Sequence, residues 1–158
     1  MNASKKIIEK EKLLELLSET IKYENGIFVL TVTGTSMTPT LYPDISSVTL
    51  VSVDKKPVRK YDIVLFKRDN GDIVLHRVIK ILTDGMLLVN GDSQLWTEKI
   101  KRENILAVAQ SYTKNNRIVK CSGIHFRCKS AVWCMLRPLR PKIFRFSAEM
   151  KSIMMRKS

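Results

Sequence analysis

A serine, a histidine and two carboxylic acids stand in this chain where folding can bring them together. Ser36 lies in Gly34-Thr35-Ser36-Met37-Thr38-Pro39-Thr40-Leu41, directly after the apolar run from Ile27 to Val32. That is a place where the end of a strand can hand a hydroxyl to a cleft. His76, one of two histidines, sits inside a second apolar run, in Leu75-His76-Arg77-Val78. The acids are Asp92, in Asn90-Gly91-Asp92-Ser93, and Glu98, six residues later. A serine hydroxyl becomes a nucleophile only when a base takes its proton, and peptide hydrolysis also needs donors aimed at the developing oxyanion. An imidazole, with an ordinary pKa of about 6.5, is mostly neutral at pH 7 and ready to act as that base. A lysine in the same role would have to be strongly desolvated.

Short runs rich in Val, Ile, Leu, Thr and aromatic residues must position these groups. They predict strands over 27–33, 47–53, 62–67, 72–82, 86–90 and 105–112, with a last one over 117–121. Asp69-Asn70-Gly71 and Asp84-Gly85 are hairpin signals. Short strands joined by tight turns predict a mainly β fold, an antiparallel sheet coiled into a barrel or sandwich. Residues 5–22 predict an amphipathic helix, with Ile7, Ile8, Leu13, Leu14, Leu17 and Ile21 on one stripe. The expected organisation is an N-terminal helix over 1–25, a β domain over 26–121 and a basic helical tail over 122–158.

The order of the words Ser-Met-x-Pro-Thr-Leu, Tyr61-Asp-Ile-Val-Leu-Phe66, His76-Arg-Val-Ile79 and Asn90-Gly-Asp-Ser93 resembles the peptidase domain of the signal peptidase I and LexA-like superfamily of serine peptidases. The resemblance covers roughly 27–109. It puts Ser36 on the nucleophile position. The base position holds lysine in bacterial housekeeping signal peptidases and in LexA-like proteins, and histidine in the endoplasmic-reticulum and archaeal type. Here it holds His76. Asp92 matches the Gly-Asp box and is the acid expected to orient the imidazole. Glu98 falls where the histidine-type enzymes have a second acid, usually Asp, and is expected to be auxiliary. The oxyanion hole is expected from the Ser36 N–H with help from Thr35; Pro39 is expected at the substrate, and Met37 either beneath the cleft or lining the substrate pocket. Tyr61 and Pro43 each precede an Asp where the family usually has Gly.

A membrane anchor, common in signal peptidases just before the serine, has no counterpart here, because the preceding segment is too polar to insert. Three cysteines at Cys121, Cys128 and Cys134, with no secretory signal, suit a reducing cytoplasm. Their C-x6-C-x5-C spacing, beside His125, matches no common zinc pattern, so no metal or other cofactor is expected. Residues 1–113 hold 16 Lys/Arg against 14 Asp/Glu, a net of +2; residues 114–158 hold 12 against one, a net of +11. Phe126, Trp133, Phe144 and Phe146 alternate with those cations, and Pro138 and Pro141 are expected to break the tail into short helices. Such a tail suits an anionic membrane surface or a helical pair folded onto the domain; nucleic acid fits it less well. The function expected from the resemblance is a serine endopeptidase that cleaves precursor or signal-like peptides. The competing readings are a LexA-like self-cleaving regulator and a catalytically silent binding module.

Overall fold

Val, Ile and Leu fill the apolar runs, and β-branched side chains pack well on a pleated surface. In the computed structural model, which describes Glu15, Glu19 and residues 26–156, those runs are strands. They are β1 (Ile27–Thr31), β2 (Ser47–Val51), β3 (Ile63–Lys67), β4 (Ile73–Ile81), β5 (Leu87–Asn90), β6 (Glu98–Ile100), β7 (Ile105–Lys114) and β8 (Arg117–Lys120). All the ladders are antiparallel, in the order β1-β2-β7-β3-β4-β5-β6, with β8 on β7. The expected mainly β fold is what the chain forms. Only β6 was not foreseen, since three residues carry no periodicity. Of the helix expected over 5–22, only Glu15 and Glu19 fall among the described residues, and both are helical.

Turn chemistry sets the strand register. Gly71 and Gly85 take φ of 84° and 81° in the two expected hairpins, which glycine tolerates without a Cβ penalty. Asn115 and Asn116, at φ 49° and 57°, close the β7–β8 turn. Register shifts between Thr49 and Leu50, Leu65 and Phe66, and Val78 and Lys80 mark irregularities that bend a sheet.

The sheet is buried on both faces, and β3 shows why. Ile63 and Leu65 point into one core with Val48, Leu50 and Ala109. Val64 and Phe66 point into a second with Val78, Val89 and Val108. The first core is closed by Met37 and Leu41 from the serine segment and by Phe126 from a helix. That helix, α1 (Gly123–Met135), leads through a 3-10 turn at Arg137–Leu139 into α2 (Arg140–Arg156). Pro138 interrupts the helical run as expected. Pro141 instead lies in the first turn of α2, where its missing N–H would have had no partner anyway. Among the described residues no helix is long and apolar enough to cross a membrane.

Candidate active site

Side chains on a strand alternate between faces. On β4 that rule separates the neighbours His76 and Arg77. His76 lies opposite Val64 in the β3 ladder and shares the face of Val78, whereas Arg77 lies opposite Ile63. The ladders carry this sorting outward. Val78 pairs with Val89 on β5, and Val89 pairs with Glu98 on β6, so Glu98 arrives on the histidine's face. Arg77 pairs with Asn90, which leads through Gly91 to Asp92.

The histidine's surroundings follow. Its Nδ1 stands 2.9 Å from Glu98 Oε1. The oxygen approaches off the line of the ring N–H, so this is a close polar contact rather than an aligned hydrogen bond. Arg68, just past β3, holds the same carboxylate with both prongs, Nε to Oε2 and Nη2 to Oε1, each at 2.8 Å. Phe66 and Trp96 flank the imidazole at centroid distances of 5.9 and 6.1 Å. Only 1% of His76 is exposed. Burial lowers its pKa, the Glu98 carboxylate pulls it back up, and Arg68 lowers it further; the net direction is down. For Glu98 burial acts upward, but the Arg68 fork and His76 outweigh it and hold the carboxyl below its ordinary value. The arrangement is a neutral imidazole beside an ionised acid at pH 7.

Asp92, expected to orient His76, does something else. Its Oδ1 accepts from Arg77 Nε at 2.9 Å and its Oδ2 from Arg77 Nη2 at 2.6 Å, while the Thr40 hydroxyl also donates to Oδ2. Arg77 Nη1 donates to the Tyr61 carbonyl at 3.1 Å and to Ser130 Oγ on α1 at 2.9 Å. Arg77 and Asp92 are 2% and 0% exposed. Burial works against the arginine's charge, and Asp92 overcomes it, raising its pKa. The acid against the imidazole is Glu98, and the expected assignment of Asp92 as its orienter is corrected. Acids only six residues apart in sequence leave the choice open; opposite faces of one strand close it.

Ser36 sits in the loop after β1, half-buried. Its carbonyl accepts from the Ser93 N–H at 2.8 Å and the Ser93 hydroxyl at 3.0 Å, and the Thr35 carbonyl accepts from that hydroxyl at 3.1 Å. A Cβ on Gly91 would fall 2.8 Å from the Ser36 oxygen, so only glycine lets the two loops close this far. The serine is thereby pinned to the segment that runs on to Trp96 and Glu98. No hydrogen bond among the described residues joins Ser36 to His76 directly. Met37, expected either beneath the cleft or at the substrate, is 1% exposed and belongs to the core beneath. Pro39 is half-buried, its carbonyl accepts from Lys114 Nζ at 2.6 Å, and it borders a cavity of about 520 Å³ against α1.

Tyr61 occupies φ 76°, a conformation that suits glycine and strains a bulky residue. At Pro43-Asp44 the left-handed residue is Asp44, at φ 59°, since proline's ring forbids it. Arg68 and Trp96 carried no motif in the sequence. The one available signal for Arg68 is a cation flanking an acidic turn, which is commonplace. Among the described residues no three His, Cys, Asp or Glu side chains gather as metal ligands.

A family model described as Peptidase S24-like matches residues 2–117. No curated protein and no solved structure matches the chain.

Proposed function

The chain belongs to the Peptidase S24-like family, in the LexA and signal peptidase superfamily, and on that premise we propose that it is a serine endopeptidase with Ser36 as nucleophile, His76 as general base and Glu98 as the acid that orients the base. The observation that carries this reading is the Glu98 carboxylate at 2.9 Å from His76 Nδ1, itself gripped by Arg68. A carboxylate at Nδ1 selects the tautomer whose Nε2 lone pair is free to take a proton. Ser36 Oγ attacks the carbonyl carbon of the scissile bond as its proton passes to His76 Nε2. The imidazolium so formed faces Glu98. The oxyanion is received by the Ser36 N–H, which has no partner among the described residues, with Thr35 beside it. The proton then moves to the leaving amine, the C–N bond breaks, and water hydrolyses the acyl-serine by the same steps. Catalytic hydrogen bonds of this kind often tighten only with substrate bound, which accommodates the absent Ser36–His76 bond.

Substrates in this proposal are precursor or signal-like peptides. Trp96, which flanks the histidine, and its chain neighbour Leu95 are 52% and 49% exposed and support an extended apolar segment as the group recognised. A fluorophosphonate probe tests the assignment. One adduct on Ser36, absent from Ser36→Ala and slowed in His76→Ala, is the expected result. A wild-type protein that acquires no adduct at Ser36 is a binding module instead.

The outer side of the tail supports a second contact. Ile124, Val132, Met135 and Phe146 are exposed apolar side chains, interspersed with Lys129, Lys142 and Arg145, in a segment of net charge +11. We infer a reversible, salt-sensitive association of this face with anionic lipid surfaces.

A further inference from the structure

The family match ends at residue 117, yet the helices beyond it are bonded to the loop that carries Ser36's anchor. Arg140, the first residue of α2, is 1% exposed. Its Nη1 donates to Asn90 Oδ1 at 2.6 Å, to the Gln94 carbonyl at 2.8 Å and to the Gly91 carbonyl at 3.1 Å. Its Nη2 donates to the Trp133 carbonyl at 3.2 Å, which ties α2 to the end of α1. Trp133 completes the grip. Its Nε1 donates to the Asp92 carbonyl at 3.2 Å, and its ring lies 5.1 Å from the Arg140 guanidinium carbon. Around a single turn, oxygens of Asn90, Gly91, Asp92 and Gln94 are therefore all held by two side chains of the helical pair.

Ser93 is the residue in the middle of that turn, and it faces the other way. Its N–H and hydroxyl hold the Ser36 carbonyl. The turn is clasped between the helices on one side and the serine loop on the other, with Gly91 leaving no slack between them.

A buried guanidinium is costly unless its donors are used, and among the described residues they meet carbonyl and amide oxygens, with no carboxylate in contact and no partner for Nε. A hydrocarbon side chain would fill the same space at lower cost. What arginine adds is a rigid fork that fixes several acceptors relative to one another. We propose that Arg140 is a positioning residue for the nucleophile: with Trp133 it fixes the 90–94 turn, and through Ser93 it sets where Ser36 stands. The proposal rests on Ser36 being the nucleophile. It makes the C-terminal helices part of the catalytic apparatus rather than an appendage to it.

Arg140→Gln and Trp133→Phe in the full-length protein test this, each read in two ways. The first is hydrogen–deuterium exchange. Loss of the fork should speed exchange in segments 33–41 and 90–97 while the β2 and β7 amides keep their protection. The second is kinetic. For Arg140→Gln, kcat and the rate of fluorophosphonate inactivation should fall together by about 100-fold with KM unchanged, the signature of a displaced nucleophile. Arg140→Lys, which has one cationic head in place of a fork, should not restore either. Trp133→Phe keeps an aromatic ring and removes one donor, so it should give a smaller rate loss, about 10-fold at most, with faster exchange in the same two segments; it also serves if Arg140→Gln fails to fold. Unchanged exchange in both segments overturns the proposal, as does a rise spread evenly over β2 and β7, which is what a merely structural residue would give. The exchange pattern in the variants, together with a wild-type protein that never labels at Ser36, instead overturns the peptidase reading and leaves the clasp standing.

Discussion

Two acids six residues apart end in opposite circumstances. Asp92 is fully buried and spends both oxygens on Arg77 and Thr40, in a network that also reaches Tyr61 and Ser130. Glu98 keeps about a fifth of its side chain exposed, holds Arg68 on one side and touches His76 on the other. A buried, saturated ion pair has no acceptor left for chemistry, and breaking it strands a charge. A partly exposed acid already fixed by an arginine can respond to a proton arriving next door. Asp92 thus reads as the keystone of the fold around the turn, and Glu98 as the acid of the proposed mechanism.

The comparison breaks most sharply in activity. Glu98→Gln should lower kcat by about 10⁴-fold, as expected when a histidine base loses the carboxylate that sets its tautomer, while the unfolding midpoint in urea barely moves. If activity survives Glu98→Gln and is lost only with Asp92, the two roles must be exchanged.

Stability should divide the acids in the opposite sense. Asp92→Ala leaves the buried Arg77 charge without a partner, and removing one side of such a pair costs about 3–5 kcal/mol. Met37→Ala should fall in the same range, about 2–5 kcal/mol, because it opens a cavity in the core under the serine. Denaturant titration of both variants checks this; a stable Met37→Ala with impaired substrate binding would return Met37 to the substrate pocket.

The pH profile sharpens the histidine's side of the comparison. His76's folded pKa is lowered, so the acid limb of kcat/KM should lie below pH 6.5. Glu98 pulls that pKa up against burial and Arg68, so Glu98→Gln should move the limb lower still while reducing the rate. The linked stability has the same sign. It is present above the unfolded imidazole's pKa of about 6.5 and lost as pH falls through the lower folded value. A limb that stays fixed in Glu98→Gln would remove the acid from contact with the base.

The smallest expected effect concerns backbone strain beside Arg77. Tyr61→Gly should relieve the left-handed conformation, offset in part by glycine's added freedom when unfolded, for a net gain of about 1 kcal/mol at most. A loss of stability would mean that the phenol's packing outweighs the strain.

The mainly β fold was legible because its strands are local events. Residues 47–53 and 62–67 have the right side chains in the right order, and Gly71 and Gly85 announce their turns. Ser36, His76 and Glu98 were also visible as chemistry, being few residue types in a particular order. Three things were not visible. The sequence favoured Asp92 over Glu98 as the acid beside the imidazole, and only the β4–β5–β6 register reversed that order, because strand alternation sends His76 and Arg77 to opposite faces. Met37 was open between the floor of the cleft and its lining until long-range packing put it in the core beneath. Arg140 and Trp133 read as members of a basic, aromatic tail, and no local pattern says which cation turns inward. Local propensity and residue chemistry act within a few positions and can be read from the chain itself. Which acid meets which base, and which arginine is buried, depends on contacts between segments some 15 to 50 residues apart, and only the closed tertiary structure decides those.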